Sequence, residues 1–213
     1  MRTVVSVLLL VGVLGGGPLH GYGQALQYGI TLGLNRVTIQ SPEVDPGQYF
    51  AFSGGVVVRQ KVLGPASIQA ELLLNQKGAR IPAEPGGAID YGAGYLELPL
   101  LIHLRMPSVR SVTLYGEAGG FGGVKLFERQ TPGENINVSF DTQTSFYRRI
   151  DAGVIAGVGA MIPIRDRRLN LTVRRAWGLR NVARAVESQP FPEAPFPAEG
   201  QTRTWSLSLR LGF

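Results

Sequence analysis

The 213-residue sequence has no cysteine and only two histidines. The first absence excludes a disulfide, a thiolate metal site, a cysteine nucleophile and a lipid attached through an amino-terminal Cys. Long helical periodicity is missing throughout, and no apolar run reaches the roughly 20 residues that a spanning helix needs. Runs of Lys and Arg are missing as well. The formal charge of +6 and the pI near 10.0 are therefore spread over strand ends and polar faces, and nucleic acid is not an expected partner. What the chain has in quantity is glycine, 29 residues, which fits an all-β protein with many tight turns.

The most informative stretch is the last. From Thr202 to Phe213, Trp205, Leu207, Leu209, Leu211 and Phe213 fall on one side, against Thr204, Ser206, Ser208, Arg210 and Gly212 on the other. That is a strand with one apolar and one polar face. A soluble sandwich strand is one reading. An outer-membrane barrel is the other, with the apolar face toward lipid and the polar face toward the lumen. The terminal-Phe strand also resembles the signal by which the barrel-insertion machinery recognises its clients, which makes that machinery an expected partner through Phe213.

At the other end, Arg2 precedes an apolar segment, Thr3 to Leu14, that Gly15-Gly16-Gly17-Pro18 terminates. Small residues at Gly21, Gly23 and Ala25 fit cleavage after Gly23 or Ala25. Residues 1–25 are read as a signal peptide, and 26–213 as the mature domain.

Eight alternating segments follow. The first, Leu26 to Asn35, has Leu26, Tyr28, Ile30, Leu32 and Leu34 on one face. The second runs from Tyr49 to Gln60, its facing left ambiguous by Val56-Val57-Val58, and the third is centred on Ile68 to Leu74. The fourth carries Leu96, Leu98, Leu100, Ile102 and Leu104 opposite Glu97, Pro99, Leu101, His103 and Arg105. Proline removes a ladder donor, so a bulge is expected at Pro99. Segments Ser111 to Phe127, Arg148 to Pro163, Leu169 to Leu179 and the terminal strand complete the count. Connections after the odd strands are long, among them Ala79 to Gly92 and Glu128 to Phe146, and those after the even strands are short. The expected fold is an eight-stranded antiparallel up-and-down transmembrane β-barrel, with short turns in the periplasm and long loops outside. A soluble lipocalin-like barrel also has eight strands, but its interior is apolar and its exterior charged.

The polar face gathers acids and bases. An isolated buried charge is very costly, so carboxylates in a narrow lumen must pair. Glu71, Glu97, Glu117, Asp151, Arg174 and Lys77 are expected to form a structural ion-pair network. The glycine runs 116–123 and 153–159 lie inside strands, where close packing of a narrow barrel accounts for them better than a phosphate loop. Arg36, Arg148, Arg149 and Arg203 fall at outer strand ends, where lipid phosphates are within reach. The Pro-rich connection 180–201, with Phe191, Pro192, Pro195 and Phe196, is the candidate contact surface for a partner.

The stretches QAELLLNQKGA (69–79), YLELPLLIHL (95–104), LYGEAGGFGG (114–123), IDAGVIAGVG (150–159) and RAWGLRNV (175–182) together resemble the PorT-like outer-membrane β-barrel family of Bacteroidetes-type bacteria. The resemblance implies an outer-membrane location and a possible tie to a secretion apparatus, with no settled activity. The expected function is structural or interactive, non-enzymatic and without a cofactor or metal. Outer-membrane lipids or lipopolysaccharide and a secretion or envelope protein are the expected partners. The alternatives are a narrow solute channel or transporter and a soluble exported ligand-binding barrel. Barrel enzymes fail on inventory: a deacylase needs a His near a Ser on the outer rim, and His103 falls close to a periplasmic turn.

Overall fold

Period-two patterning this regular has one outcome when every strand also finds two neighbours, and the computed structural model of the chain shows it: a closed sheet. The structure describes residues 26–42, 46–83, 87–132, 145–165, 167–184 and 196–212. Residues 1–25, for which a signal peptide is expected, and Phe191, Pro192, Pro195 and Phe213 lie outside the described residues. The strands are β1 (Gln27–Gln40), β2 (Tyr49–Leu63), β3 (Ala66–Ala83), β4 (Gly87–Val109), β5 (Val112–Pro132), β6 (Ile150–Ile164), β7 (Arg167–Gly178) and β8 (Gln201–Gly212). Each pairs antiparallel with the next, and β8 pairs with β1 from Gly29↔Gly212 to Gln40↔Gln201, so no edge remains within the ring.

Three tight turns join strands on the side of the barrel where β1 starts at Gln27 and β8 stops at Gly212. The closing pairs Leu63↔Ala66, Val109↔Val112 and Ile164↔Arg167 each leave two residues in the loop. A left-handed backbone is needed at the first of the two, supplied by Gly64 at no steric cost and by Arg110 and Arg165 at about 1 kcal/mol each.

Outward-facing residues in the lower two thirds of the barrel are apolar and exposed: Leu32 is 65%, Ile102 58% and Leu209 48% exposed. The expected soluble alternative requires the reverse. From Leu26 to Leu34 the apolar face of β1 rises about 20 Å, using ~3.3 Å per residue and a tilt of ~40°. Its upper limit is marked by Arg175 of β7, whose guanidinium lies over the rings of Trp177 (5.3 Å) and Trp205 (4.9 Å). Rings with an apolar body and a polar tip belong at such a boundary.

Above that level the polarity of the faces inverts. On β1, Asn35 is followed inward by Val37 and Ile39, both fully buried, while Arg36 and Gln40 face outward. The same happens on β3 with Ala79 and Ile81 and on β4 with Ile89, Tyr91 and Ala93. Outside lipid, a sheet must bury apolar side chains on its concave face and show polar ones to water. The expected connection 79–92 is therefore mostly strand, continuous to Ala83 and resuming at Gly87. β1 likewise runs to Gln40 rather than Asn35, and β5 to Pro132.

The bulge expected at Pro99 is absent. Pairing passes from Ala70↔Leu100 to Leu73↔Glu97 and through Pro99↔Phe121 without an inserted residue, because a missing donor removes a ladder bond but need not add a residue. The ladder shifts instead between Gly94↔Phe127 and Tyr95↔Lys125, where Leu126 of β5 is extra. The bulge brings Phe127 across Gly94, a position where any Cβ would strike the ring.

Candidate functional site

Odd-numbered side chains of β1 to β6, on β5 only as far as Lys125 because the bulge at Leu126 reverses the parity, and even-numbered ones of β7 and β8 point into the barrel. Among the described residues, four buried cations (Arg59, Lys77, Arg174, Arg210) face four buried anions (Glu71, Glu97, Glu117, Asp151), so the lumen is formally neutral. They form two groups along the axis.

The lower group centres on Glu71 of β3. Arg174 of β7 holds it with both terminal nitrogens, at 2.7 and 2.6 Å, and turns its Nε to Glu117 of β5. Arg210 of β8 donates to Glu71 at 3.0 Å and to Gln69 at 3.2 Å. Gln69 also accepts two bonds from Arg59, at 2.8 and 2.6 Å, and donates to Glu71 at 2.5 Å. Beneath this group, fully buried His103 stacks on Tyr115 with centroids 4.3 Å apart. Tyr115 shares a 2.5 Å hydroxyl contact with Thr172.

The upper group centres on Lys77. Its ammonium pairs with Glu97 at 2.5 Å and Asp151 at 2.6 Å, and lies 4.5 Å from the ring centre of Phe121. Asn35 donates to Asn75 at 2.8 Å, and Asn75 donates to Glu97 at 2.7 Å, which joins β1, β3 and β4. Beside this group, near Asn75, Pro99 and Ser206, lies a cavity of about 30 Å³, room for a water or two.

The structure thus brings Glu71, Glu117 and Arg174 into one group and Lys77, Glu97 and Asp151 into another. Arg59 and Gln69 are members that sequence reasoning passed over. Arg59 shares the parity of Val57, and a charge that has to face the lumen would have settled the facing of β2. The glycine runs make room for these side chains. A Cβ at Gly123 would come within 2.8 Å of the Glu97 side chain, and one at Gly157 within 2.9 Å of Arg174.

The outer mouth is closed by a second element. Tyr91, Phe146, Tyr147 and Phe196 pack with ring centroids 5.0 to 5.6 Å apart, over Ile39, Ile81 and Ile89. Phe196 touches all three other rings and is 1% exposed, so the contact-surface role expected of it is corrected. It is the centre of a small hydrophobic core because the inverted strand tops leave an apolar cup that something must fill. Backbone bonds stitch the cap together: Arg148 N donates to Val182 O at 2.7 Å, Arg184 N to Phe146 O at 3.0 Å and Val182 N to Gly200 O at 2.9 Å. Glu128 accepts the amides of Phe146 (3.1 Å) and Tyr147 (2.9 Å) and pairs with Lys125. Burial pushes the Tyr91 phenol up to about 12, and burial together with the Tyr95 and Glu128 charges holds that of Tyr147 well above its ordinary value.

Residues 22–184 match the family described as "Outer membrane protein beta-barrel domain". The chain belongs to this family, and its place is the outer membrane. Among solved structures, the barrel is similar to the outer membrane protein OprG from Pseudomonas aeruginosa, with 10% identity and a TM-score of 0.52 over 89% of this chain and 97% of that one. Neisserial surface protein A is also similar, at 10% identity and TM-score 0.49, over 89% and 98%. No curated protein matches the sequence. Those likenesses concern the fold, so the role of this family member has to be argued from its own lumen and cap.

Proposed function

We propose that this family member is a closed, non-conducting barrel with a structural or interaction role, rather than an enzyme or a solute channel. The observation that carries this reading is the pairing of two obstructions in series: a lumen crossed by compensated ion pairs and a mouth filled by the Phe196 cluster. Acid–base work by the paired carboxylates is disfavoured, since each is already engaged by a cation or an amide. The polar outward faces of the protruding tops of β3, β4 and β5, with Arg80, Asp90 and Arg129, are the surface offered to a protein outside the cell.

The test is conductance of the detergent-folded mature chain in planar bilayers. A flat trace at both polarities supports the closed barrel. Reproducible single-channel steps would replace it with the channel reading. The finer role in secretion follows the PorT-like resemblance and is tested by crosslinking in intact cells, with co-recovery of a secretion-apparatus protein as the supporting result. Recognition by the insertion machinery through Phe213 is part of the same proposal, and deleting Phe213 is expected to lower the amount of assembled barrel.

A further inference from the structure

Between the top of β5 and the start of β6 the wall opens into a cleft of about 750 Å³, lined by Lys125, Ser145, Tyr147, Arg148, Arg149 and Arg184. Of these six described residues four are cations and none is an acid. Glu128 lies behind the cleft and is taken up by Lys125 and the cap amides. Among the described residues no carboxylate pairs with Arg148, Arg149 or Arg184. With no counter-charge among the described residues, the three guanidiniums around this opening repel each other, and an anion bridging them removes that repulsion.

The cleft is held in shape before any ligand arrives. Arg148 donates its Nε to Ala183 O at 3.0 Å, and Lys125 is fixed by Ser145 Oγ at 2.7 Å and Tyr147 O at 2.5 Å. Its height in the membrane is fixed too. Val124 and Ile150 pair with each other and are both exposed on the lipid side, and Lys125 and Arg149 are the next residues outward, joined by a 2.8 Å backbone bond. On β5 the exposed Leu126 and Phe127 follow Lys125, so the cleft lies at the upper margin of the apolar surface, within reach of lipid phosphates.

We infer that this cleft binds a phosphate group on the headgroup of an outer-leaflet lipid, the guanidinium forks of Arg148, Arg149 and Arg184 gripping its oxygens. The inference rests on the outer-membrane location and is independent of whether the lumen conducts.

The test uses the full mature chain folded in detergent. Binding is measured for a diphosphorylated glycolipid, for the same glycolipid after enzymatic dephosphorylation, and for inorganic pyrophosphate. The phosphorylated lipid is expected to bind at least about tenfold tighter than the dephosphorylated one, as befits loss of a charge-assisted bond. Arg149→Gln with Arg184→Gln, which removes no side-chain bond made within the described residues, is expected to abolish that preference, with retained heat-modifiable gel mobility proving that the barrel is folded. Lys61→Gln with Arg168→Gln, an equal charge loss near the opposite rim, is expected to leave it intact. Equal binding of the two lipids, an unaltered preference in the cleft variant, or an equal loss in the rim control would overturn the site. Pyrophosphate binding as tight as the lipid's would overturn the lipid assignment in favour of a soluble phosphate.

Discussion

Arg174 and Glu71 sit on strands β7 and β3, opposite each other in the ring of eight, and meet across the lumen in a bidentate pair at 2.7 and 2.6 Å. Hydrogen bonding along the wall ties each strand only to its neighbours. This pair ties two walls that share no ladder, and Arg174 to Glu117 and Lys77 to Asp151 do the same for β7 with β5 and β3 with β6. The lumen is a set of struts whose members are charged because a narrow polar interior admits charge only in compensated form.

Removing one strut member strands the others. Arg174→Met is expected to destabilise the folded barrel by about 3–5 kcal/mol, since Glu71 and Glu117 are then buried with less compensation. Adding Glu71→Gln to that variant is expected to recover part of the loss. Urea unfolding in lipid or detergent, followed by gel mobility, measures both. A single variant within ~0.5 kcal/mol of wild type would show that the pair is dispensable.

Much of this was readable in the alternation alone. Leu26 to Leu34 and Trp205 to Leu211 announce a lipid face, and the parity of Glu71, Glu97, Glu117 and Asp151 places the acids inside. Which base each acid meets depends on the relative register of strands far apart in sequence, and no local pattern encodes it. Gln69 entered the network unannounced for that reason, and Arg59 because the run Val56-Val57-Val58 left the facing of β2 open. The cap was hidden by a different cause. Alternation persists through Asn35-Arg36-Val37-Thr38-Ile39, but its polarity changes phase at the membrane surface, and a rule that reads apolar as lipid-facing ends the strand there. Phe196 was misread because an aromatic among prolines looks like an exposed anchor until the apolar cup beneath it is known.

Space beside the struts is as specific as charge within them. A Cβ at Gly157 would lie 2.9 Å from Arg174 Cγ and 2.8 Å from Val173 O, and backbone cannot withdraw. Gly157→Ala is expected to cost about 1–3 kcal/mol through overpacking. Gly122→Ala, on the outer face of β5 with nothing within 4 Å of the added carbon, is expected to be neutral or slightly stabilising. Unfolding midpoints of the two variants side by side check the contrast, and equal midpoints would sink the packing argument. In an Arg174→Ala background the cost of Gly157→Ala should shrink, because the Cγ that the added carbon meets is gone, while the clash with Val173 O remains.

Alkaline pH should loosen the cap before it loosens the barrel. Below the ordinary tyrosine value of 10.0, the Tyr91 phenol is neutral in both the closed and the opened cap, so its burial contributes in full. Between 10.0 and about 12 the opened form loses its proton and the closed form keeps it, so the closed form binds more protons and its stability falls as pH rises. The hydroxyl of Tyr147, which donates to Tyr91 O at 2.8 Å, responds in the same direction, since its phenol is held up by burial too. Tyrosinate absorbance of the folded chain should therefore show a late phase above the main rise, absent in part from Tyr91→Phe, with access of a water-soluble quencher to the cap increasing across that late phase. A single titration step near pH 10, with quencher access unchanged throughout, would mean that the Tyr91 cluster is open to water and does not seal the outer mouth.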